Sequence, residues 1–305
     1  MAGKLKFPIV LACGIARFDA LREQFAALVG TKGVQLSDAG HYFRFIKSRL
    51  EERGFTTRHT QVSFAARVDV RANELAAQVG AIRRELNAGQ VHIIAHSMGG
   101  LDARRMIVDI TGAAATVASL TTIGTPHWGS PVADAMLARG FESVVDKLQP
   151  FITLEGVHDL ATEACRRFNE RAEPVEAANA VHYAAWSGAQ VRDQTFFPLL
   201  KSWDVTHAAE GDNDGLVSVK SQRWQPALHA PGVTKPVHQR SFPFPADHLN
   251  QIGWWMPPAA EFAFPTLARC RAWRARAQEI EAAVQQVYLG VADELEVMES
   301  FGRLR

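Results

Sequence analysis

One stretch in the first third of the chain constrains the fold most strongly. Residues 91–100 (VHIIAHSMGG) join a short apolar run to Ser97 and two glycines. The run predicts a buried strand, and residues 101–107 continue with the spacing of a helix. A serine on a sharp turn between strand and helix is a nucleophile elbow, which needs small residues such as Ala95 and Gly99 because the two backbones pass close together. The alternative is an ordinary strand–turn–helix junction, so the rest of the chain has to decide.

Strand and helix patterns alternate around this stretch. Apolar or β-branched runs predict strands at 7–12, 55–64, 117–123 and 181–186, and helical spacing predicts helices at 20–29, 39–53 and 70–86. This alternation is typical of an α/β chain with a mostly parallel central sheet and helices on both faces. Because ligands bind beyond the carboxyl ends of parallel strands, we expect the loops at Gly14, Ser97 and Gly124 to share one crevice.

The second half of the chain is less regular. Residues 131–180 have helical patterns at 132–137, 141–148 and 160–168, which favour an inserted cap or lid, or else a plain helical excursion. A short strand is expected at 216–219, followed by a long proline-containing loop over 226–245. After Pro265, an apolar stripe predicts one long helix or two. We therefore expect a single domain over 1–305, with a helical cap at 131–180 and a helical extension at 266–305.

Composition narrows the classes of partner. Lys and Arg total 33 against 32 for Asp and Glu, so charge indicates neither nucleic acid nor an anionic membrane as a partner. No stretch reaches the roughly 20 apolar residues of a membrane span. Three cysteines, Cys13, Cys165 and Cys270, favour reduced thiols, with one bridge as the alternative. The oligomeric state stays open.

The first residues bear on the compartment. A basic start followed by an apolar run is similar to a short signal peptide. The run contains Pro8 and Gly14 and lacks a small-residue cleavage site, so we interpret it as the first core strand. We expect a cytoplasmic protein, with secretion as the alternative.

A nucleophilic serine needs a base and a carboxylate that orients the base. In hydrolases with an elbow, the acid and then the histidine follow the serine along the chain. The acid candidates are Asp193, Asp204, Asp212 and Asp214, and the histidine candidates are His229, His238 and His248. The turn-rich residues 211–215 lie directly before an apolar run, which suits an acid there, although such clusters are usually simple turns.

The oxyanion formed during ester cleavage needs two backbone N–H donors. One is expected from Met98, directly after the serine, and the other from Ile15, after the first strand. His96 and His127 also lie near the expected site, and we interpret both as structural residues.

Several ordered motifs together resemble the Pseudomonas and Burkholderia triacylglycerol lipase family of the α/β-hydrolase fold. The matching segments are Val10–Ile15 with Phe18 and Asp19, Ala95–Gly100, Gly124–Ser130, Asn213–Val219 and Asp247–Leu249. The resemblance implies a triad of Ser97, Asp214 and His248, with Ile15 and Met98 forming the oxyanion hole. Two departures are Cys13, where that family has a histidine, and the Ala-first elbow, which is also found in Bacillus lipases.

The resemblance implies a serine carboxylic ester hydrolase, a lipase or esterase, that cleaves acyl esters or lipids without a cofactor. Related lipases hold calcium with an Asp two residues after the histidine. Asn250 stands there in this chain, so we expect no metal. The alternatives are an acyltransferase or thioesterase acting on lipid or CoA esters, and a hydrolase-fold binding protein without catalysis.

Overall fold

Seven strands in the described part of the chain form one sheet. The computed structural model describes residues 5–14, 38–63, 66–138, 154–257 and 266–302. The strands are β1 (Ile9–Ala12), β2 (Thr57–His59), β3 (Val91–His96), β4 (Val117–Ile123), β5 (His182–Ser187), β6 (Ala227–Ala230) and β7 (Val233–Ser241). Their order across the sheet is β2-β1-β3-β4-β5-β7-β6, and all neighbours are parallel except the β6–β7 pair. The predicted mostly parallel sheet is confirmed.

Helices cover both faces of this sheet. They are α1 (Ile46–Glu52), α2 (Val68–Glu85), α3 (Met98–Asp109), α4 (Pro131–Leu137), α5 (Leu154–Val157), α6 (Thr162–Ala178), α7 (Leu200–Glu210), α8 (Val219–Gln222) and α9 (Leu267–Ser300). One hydrophobic cluster joins the strands to α2 and α3, and a second joins them to α1 and α9. Burying an apolar stripe of each helix against the sheet supplies most of the driving force for this layered arrangement.

The expected loop over 226–245 is wrong, because it contains the β6–β7 hairpin. Strand β7 pairs with β6 through residues 233–236 and with β5 through residues 237–241. Pro236 lies where the pairing passes from one neighbour to the other, so its missing N–H leaves the pairing with β5 intact. The prolines at 226, 231 and 236 led to the prediction of a loop, because proline within a run argues against a strand.

Two predicted elements near the start of the chain are shorter in the structure. The helix expected over 39–53 is α1 alone, because Phe45 has a left-handed backbone (φ 55°) that an α-helix cannot contain. The strand expected over 55–64 contains only the three residues of β2. The helix expected at 20–29 lies outside the described residues.

The segment predicted as a cap is helical where it is described. Helix α4 matches the helix expected at 132–137, and its N-cap Ser130 accepts a hydrogen bond from the N–H of Val132. Helix α6 begins near the expected position but continues to Ala178. The helix expected at 141–148 lies outside the described residues. A cap over 131–180 on a single domain stays a prediction.

The C-terminal extension contains one helix, α9, with 34 residues. Thr266 caps it by accepting a hydrogen bond from the N–H of Arg269. The apolar stripe of α9 packs on the sheet beside α1. Among the described residues, no helix is both long and apolar enough to cross a membrane.

Candidate active site

Ser97 lies at the tip of a strained turn between β3 and α3. Its backbone has φ 57° and ψ −135°, a region that side chains rarely adopt. Small neighbours make this turn sterically possible. A Cβ atom added at Gly99 would lie 2.6 Å from the carbonyl oxygen of Cys13, and one added at Gly14 would lie 2.6 Å from Cβ of Ser97. The sequence pattern of the elbow therefore has a direct steric cause.

Ser97 begins a continuous hydrogen-bond chain. Nε2 of His248 lies 2.8 Å from Oγ of Ser97, and Nδ1 of His248 lies 2.7 Å from Oδ2 of Asp214. All three side chains are buried, with Ser97 8% exposed. The structure thus brings the three residues together in the order that activates a serine: nucleophile, base and orienting carboxylate.

Asp214 is held by a tight turn that continues past the turn-rich residues 211–215 into the residues predicted as a strand. Oδ1 accepts hydrogen bonds from the backbone N–H groups of Leu216 at 3.0 Å and Val217 at 2.8 Å. The strand expected at 216–219 is therefore wrong, because these N–H groups bind the carboxylate and not a neighbouring strand. The turn fixes the rotation of the carboxyl group and directs Oδ2 toward His248.

The loop that carries His248 is organised by the preceding residue. The buried carboxylate of Asp247 accepts hydrogen bonds from the backbone N–H groups of Phe196, Leu249 and Asn250. Burial raises the pKa of Asp247 to about 6, against the opposing effect of these donors. In addition, the N–H of His248 donates to the carbonyl oxygen of Asp214 at 2.8 Å, so the acid and base loops are joined through their backbones as well.

The other candidates lie away from the serine chain. Asp204 pairs with Arg192 at the surface, and Asp193 and Asp212 are exposed. His229 lies on β6 and His238 on β7, outside this hydrogen-bond chain. Of the candidates weighed from the sequence, Asp214 and His248 are the two that the fold brings to Ser97.

An apolar cavity opens beside Ser97 and His248. The side chains that form its wall come from α4, α5 and the adjoining loops: Val132, Ala133, Met136, Val157, Leu160 and Leu216. Since a carbonyl carbon must approach Oγ of Ser97, the cavity can hold an apolar group attached to that carbon.

Comparison with known proteins identifies one matching family model and several related lipases. Residues 79–160 match the PGAP1-like alpha/beta domain family. The chain is 29% identical to triacylglycerol lipase 2 of Saccharomyces cerevisiae over 70% of its own length and 62% of that protein's, so the match spans less than two thirds of the yeast lipase. It is 25% identical to a triacylglycerol lipase of Pseudomonas fragi, over 81% of this chain and 88% of that one.

The chain is therefore similar to triacylglycerol lipases over most of its length. A solved lipase from Staphylococcus hyicus has the same fold, with a TM-score of 0.61 at 18% identity, over 97% of this chain and 96% of that chain. The predicted α/β-hydrolase fold and the predicted family resemblance are both confirmed.

One of the two predicted oxyanion donors can be placed. Met98 is the first residue of α3, where backbone N–H groups have no partner within the helix. Ile15 lies outside the described residues. Its neighbours Cys13 and Gly14 follow β1 directly and pack against the elbow. The assignment of both donors stays a prediction.

Sequence analysis missed a buried ion pair that supports the loop after β1. Arg71 in α2 pairs with Asp102 in α3 at 2.7 Å, with both side chains almost fully buried. Nη2 of Arg71 also donates to the carbonyl oxygen of Cys13 at 3.2 Å. The sequence contained a signal for this ion pair, because Arg71 shares the buried face of α2 with Val68 and Leu75. A charge on such a face indicates a buried partner.

His127 is a structural residue, as expected. Its Nε2 lies 2.9 Å from Oγ1 of Thr122, and its ring stacks on Trp224. Burial and the charge of Arg104 hold the pKa of His127 well below its ordinary value. His127 therefore remains neutral and packs behind the site.

The residues around His248 do not fit a calcium ion. Oδ1 of Asn250 accepts from the N–H of Asp247 at 3.0 Å, and Nδ2 of Asn250 donates to the carbonyl oxygen of Trp254 at 3.0 Å. The carboxylate of Asp247 accepts three backbone hydrogen bonds. Calcium needs several oxygen ligands, with charge from carboxylates. The polar atoms here instead hold the loop to itself, and the predicted lack of a metal stays a prediction.

Proposed function

We propose that this chain is a serine carboxylic ester hydrolase that uses Ser97, His248 and Asp214 to cleave acyl esters with an apolar acyl group. The observation that carries the proposal is the hydrogen-bond chain from Oδ2 of Asp214 through His248 to Oγ of Ser97. Similarity to triacylglycerol lipases supports the reaction class.

The geometry supports a two-step reaction. His248 takes the proton of Ser97 through Nε2 as Oγ attacks the ester carbonyl carbon. The backbone N–H groups of Met98 and Ile15 stabilise the oxyanion. His248 then gives the proton to the leaving alcohol. A water molecule, deprotonated by the same imidazole, cleaves the acyl-enzyme and regenerates Ser97.

Each fixed contact contributes to this chemistry. Asp214 holds the Nδ1–H tautomer of His248, so that Nε2 faces Ser97 as an acceptor. The backbone donors to Asp214 prevent the carboxylate from turning away. The apolar wall provided by Met136 and Leu160 would bind the acyl chain, which favours lipid-like esters as the substrate class.

The enzyme is proposed to act in the cytoplasm, because Cys13, Cys165 and Cys270 are all free thiols, as in a reducing compartment. Cell fractionation with antibodies against the enzyme tests this. Accumulation outside the cell would contradict it.

A fluorophosphonate probe and a series of p-nitrophenyl esters test the activity together. We expect the probe to label wild-type enzyme at Ser97 but not Ser97→Ala, and esters from acetate to palmitate to be hydrolysed at unequal rates. The series with and without EDTA tests the predicted lack of a metal, and we expect equal rates. A folded wild-type protein that is neither labelled nor active would contradict the proposal. Preferential transfer to an added alcohol would indicate an acyltransferase.

A further inference from the structure

A glutamine next to the catalytic histidine loop lies against the catalytic carboxylate. Nε2 of Gln251 donates to Oδ2 of Asp214 at 3.0 Å. The same oxygen accepts from Nδ1 of His248. Any rotation or shift of Gln251 therefore acts on the oxygen atom that orients the base.

Two glycines make room for the Gln251 side chain. A Cβ atom added at Gly188 would lie 3.0 Å from Nε2 of Gln251, and one added at Gly124 would lie 2.1 Å from Oε1. Gly124 directly follows β4 and Gly188 directly follows β5. The amide therefore lies between the carboxyl ends of two adjacent strands, and Gln251 is fully buried there.

The other end of the amide faces His96, the residue before the nucleophile. Oε1 of Gln251 and Nε2 of His96 are both buried and, within the described residues, neither has a hydrogen bond of ordinary geometry to another group. Both face the space above Gly124, where an added Cβ would lie 3.4 Å from Nε2 of His96. Because buried polar atoms rarely remain unsatisfied, the two atoms are expected to pair with each other.

The sequence of donors and acceptors is consistent from one end to the other. An ionised carboxylate only accepts, so Gln251 must present its NH₂ group to Asp214 and its oxygen to His96. His96 then carries its proton on Nε2, and its Nδ1 accepts from Oη of Tyr42, which lies 2.7 Å away. The oxygen of Tyr42 lies against Gly14, in the loop after β1, where an added Cβ atom would lie 2.7 Å from it.

His96 stays neutral in this arrangement. Its ring lies 4.5 Å from the ring of His248, centroid to centroid. Burial and the charge of protonated His248 hold the pKa of His96 well below its ordinary value. His96 therefore keeps one donor and one acceptor nitrogen while His248 gains and loses its proton.

We propose that Gln251 is a positioning residue for the hydrolysis: its amide holds Oδ2 of Asp214 against His248, and His96 and Tyr42 hold the amide in the orientation that does so. This inference rests on the proposed function. It links the acid to the Gly14 loop, on the oxyanion side of Ser97, through side chains alone.

Gln251→Met tests the inference most directly, because it keeps the size of the side chain and removes both polar groups. We expect kcat to fall by about 10- to 100-fold, with KM within about two-fold of wild type, as for other residues that orient a catalytic ligand. The rates are measured on p-nitrophenyl butyrate and normalised to the fraction that a fluorophosphonate labels. A folded Gln251→Met enzyme with unchanged kcat would overturn the inference.

Gln251→Glu provides a signature that a merely structural role would not give. Burial and the facing charge of Asp214 raise the pKa of the introduced carboxyl, so at neutral pH it is protonated and donates to Asp214. As pH rises the donor is lost. We expect a near wild-type kcat at neutral pH and a new decline on the alkaline side. A profile that parallels wild type, or loss of activity at every pH in a folded protein, would overturn the proposal.

Tyr288→Phe is the matched control. Oη of Tyr288 donates to the backbone oxygen of Gln251, so this change also removes one hydrogen bond to Gln251 but leaves its amide alone. We expect a lower melting temperature with kcat within about two-fold of wild type. A large fall in kcat here would show that the loop backbone, and not the amide, matters. An inactive wild-type protein would contradict the proposed function itself, whereas an active one with a normal Gln251→Met variant contradicts only the positioning role.

Discussion

The described part of the chain contains two hydrogen-bond chains of serine, histidine and carboxylate, one at each end of β3. The first is the Ser97 chain at the carboxyl end. At the amino end, Nδ1 of His92 lies 2.8 Å from Oγ of Ser119, and Nε2 of His92 lies 2.8 Å from Oε1 of Glu299. The distances in the two chains are nearly the same, so distances between these side chains do not distinguish a catalytic site.

The backbone conformation at each serine distinguishes the two hydrogen-bond chains. Ser97 lies on a strained turn with free space on one side, whereas Ser119 lies inside β4 and is 1% exposed. The strand around Ser119 pairs with β3 and β5 on its two sides, so its N–H groups are used by the sheet. No N–H group is left there to stabilise an oxyanion.

Glu299 explains what the second chain does. Its carboxylate also accepts hydrogen bonds from the backbone N–H groups of Lys6 and Phe7. These contacts join the end of α9 to the start of β1 and to His92. The same three types of side chain therefore join α9 to the start of β1 at one end of β3. At the other end, the serine lies on a strained turn beside a cavity, where a substrate can reach it.

Replacing the two serines should produce the largest difference. Ser97→Ala removes the nucleophile, so we expect ester hydrolysis to fall by about 10⁴- to 10⁶-fold. Ser119→Ala should leave kcat/KM within about two-fold of wild type, because it affects only a buried hydrogen bond. Rates on p-nitrophenyl butyrate and labelling by a fluorophosphonate measure both. Equal losses in the two variants would contradict the conclusion that the serine backbone distinguishes the two chains.

Substitutions of the carboxylates should produce the second-largest difference in activity. Asp214→Asn disturbs the tautomer and charge that His248 needs, and we expect kcat to fall by about 10³- to 10⁴-fold. Asp212→Asn, two residues away and exposed, and Glu299→Gln should each stay within about three-fold of wild type, since neither touches the reacting groups. If Asp212→Asn were as damaging as Asp214→Asn, the choice of acid would be wrong.

Glu299→Gln should instead reduce stability, by about 1–3 kcal/mol at neutral pH, because charged acceptors bind backbone N–H groups more strongly than neutral ones. Burial opposes it, but the donors His92, Lys6 and Phe7 hold the pKa of Glu299 below its ordinary value of 4.5. Its contribution is therefore complete above pH 4.5 and disappears as pH falls through the lower folded-state pKa. Urea melts of the two proteins at several pH values measure this. A difference that grows as pH falls would contradict the assignment.

A substitution in the wall of the cavity beside Ser97 should have the smallest effect on activity. Leu160→Ala enlarges the apolar wall, and we expect the ratio of kcat/KM for long over short p-nitrophenyl esters to rise by about 3- to 10-fold. Val175→Ala, at an exposed position on α6, is the control and should leave the ratio unchanged. An unchanged ratio for Leu160→Ala would mean that the acyl chain lies elsewhere.

Local patterns accounted for the parts of the fold where local rules operate. Strand β4 has the bounds expected from its apolar run, and the elbow follows from small residues at 95, 99 and 100. The prediction of a strand at 216–219 was wrong, because the N–H groups of Leu216 and Val217 bind the side chain of Asp214, two and three residues earlier in the chain. Periodicity cannot show which hydrogen-bond partner a backbone group will find.

The candidate site divides in the same way. Local sequence was sufficient to predict a serine on a strained turn, because strand, turn and helix are adjacent in the chain. It also limited the acid and base to a few late residues. The folded arrangement was needed to show that His248 reaches Ser97 from 151 positions away and that Gln251 reaches Asp214 from 37 positions away. The difference lies in the sequence separation of the interacting residues. The backbone conformation of a turn depends on residues close in the chain, whereas the partner of a buried side chain depends on which distant loops the sheet brings together.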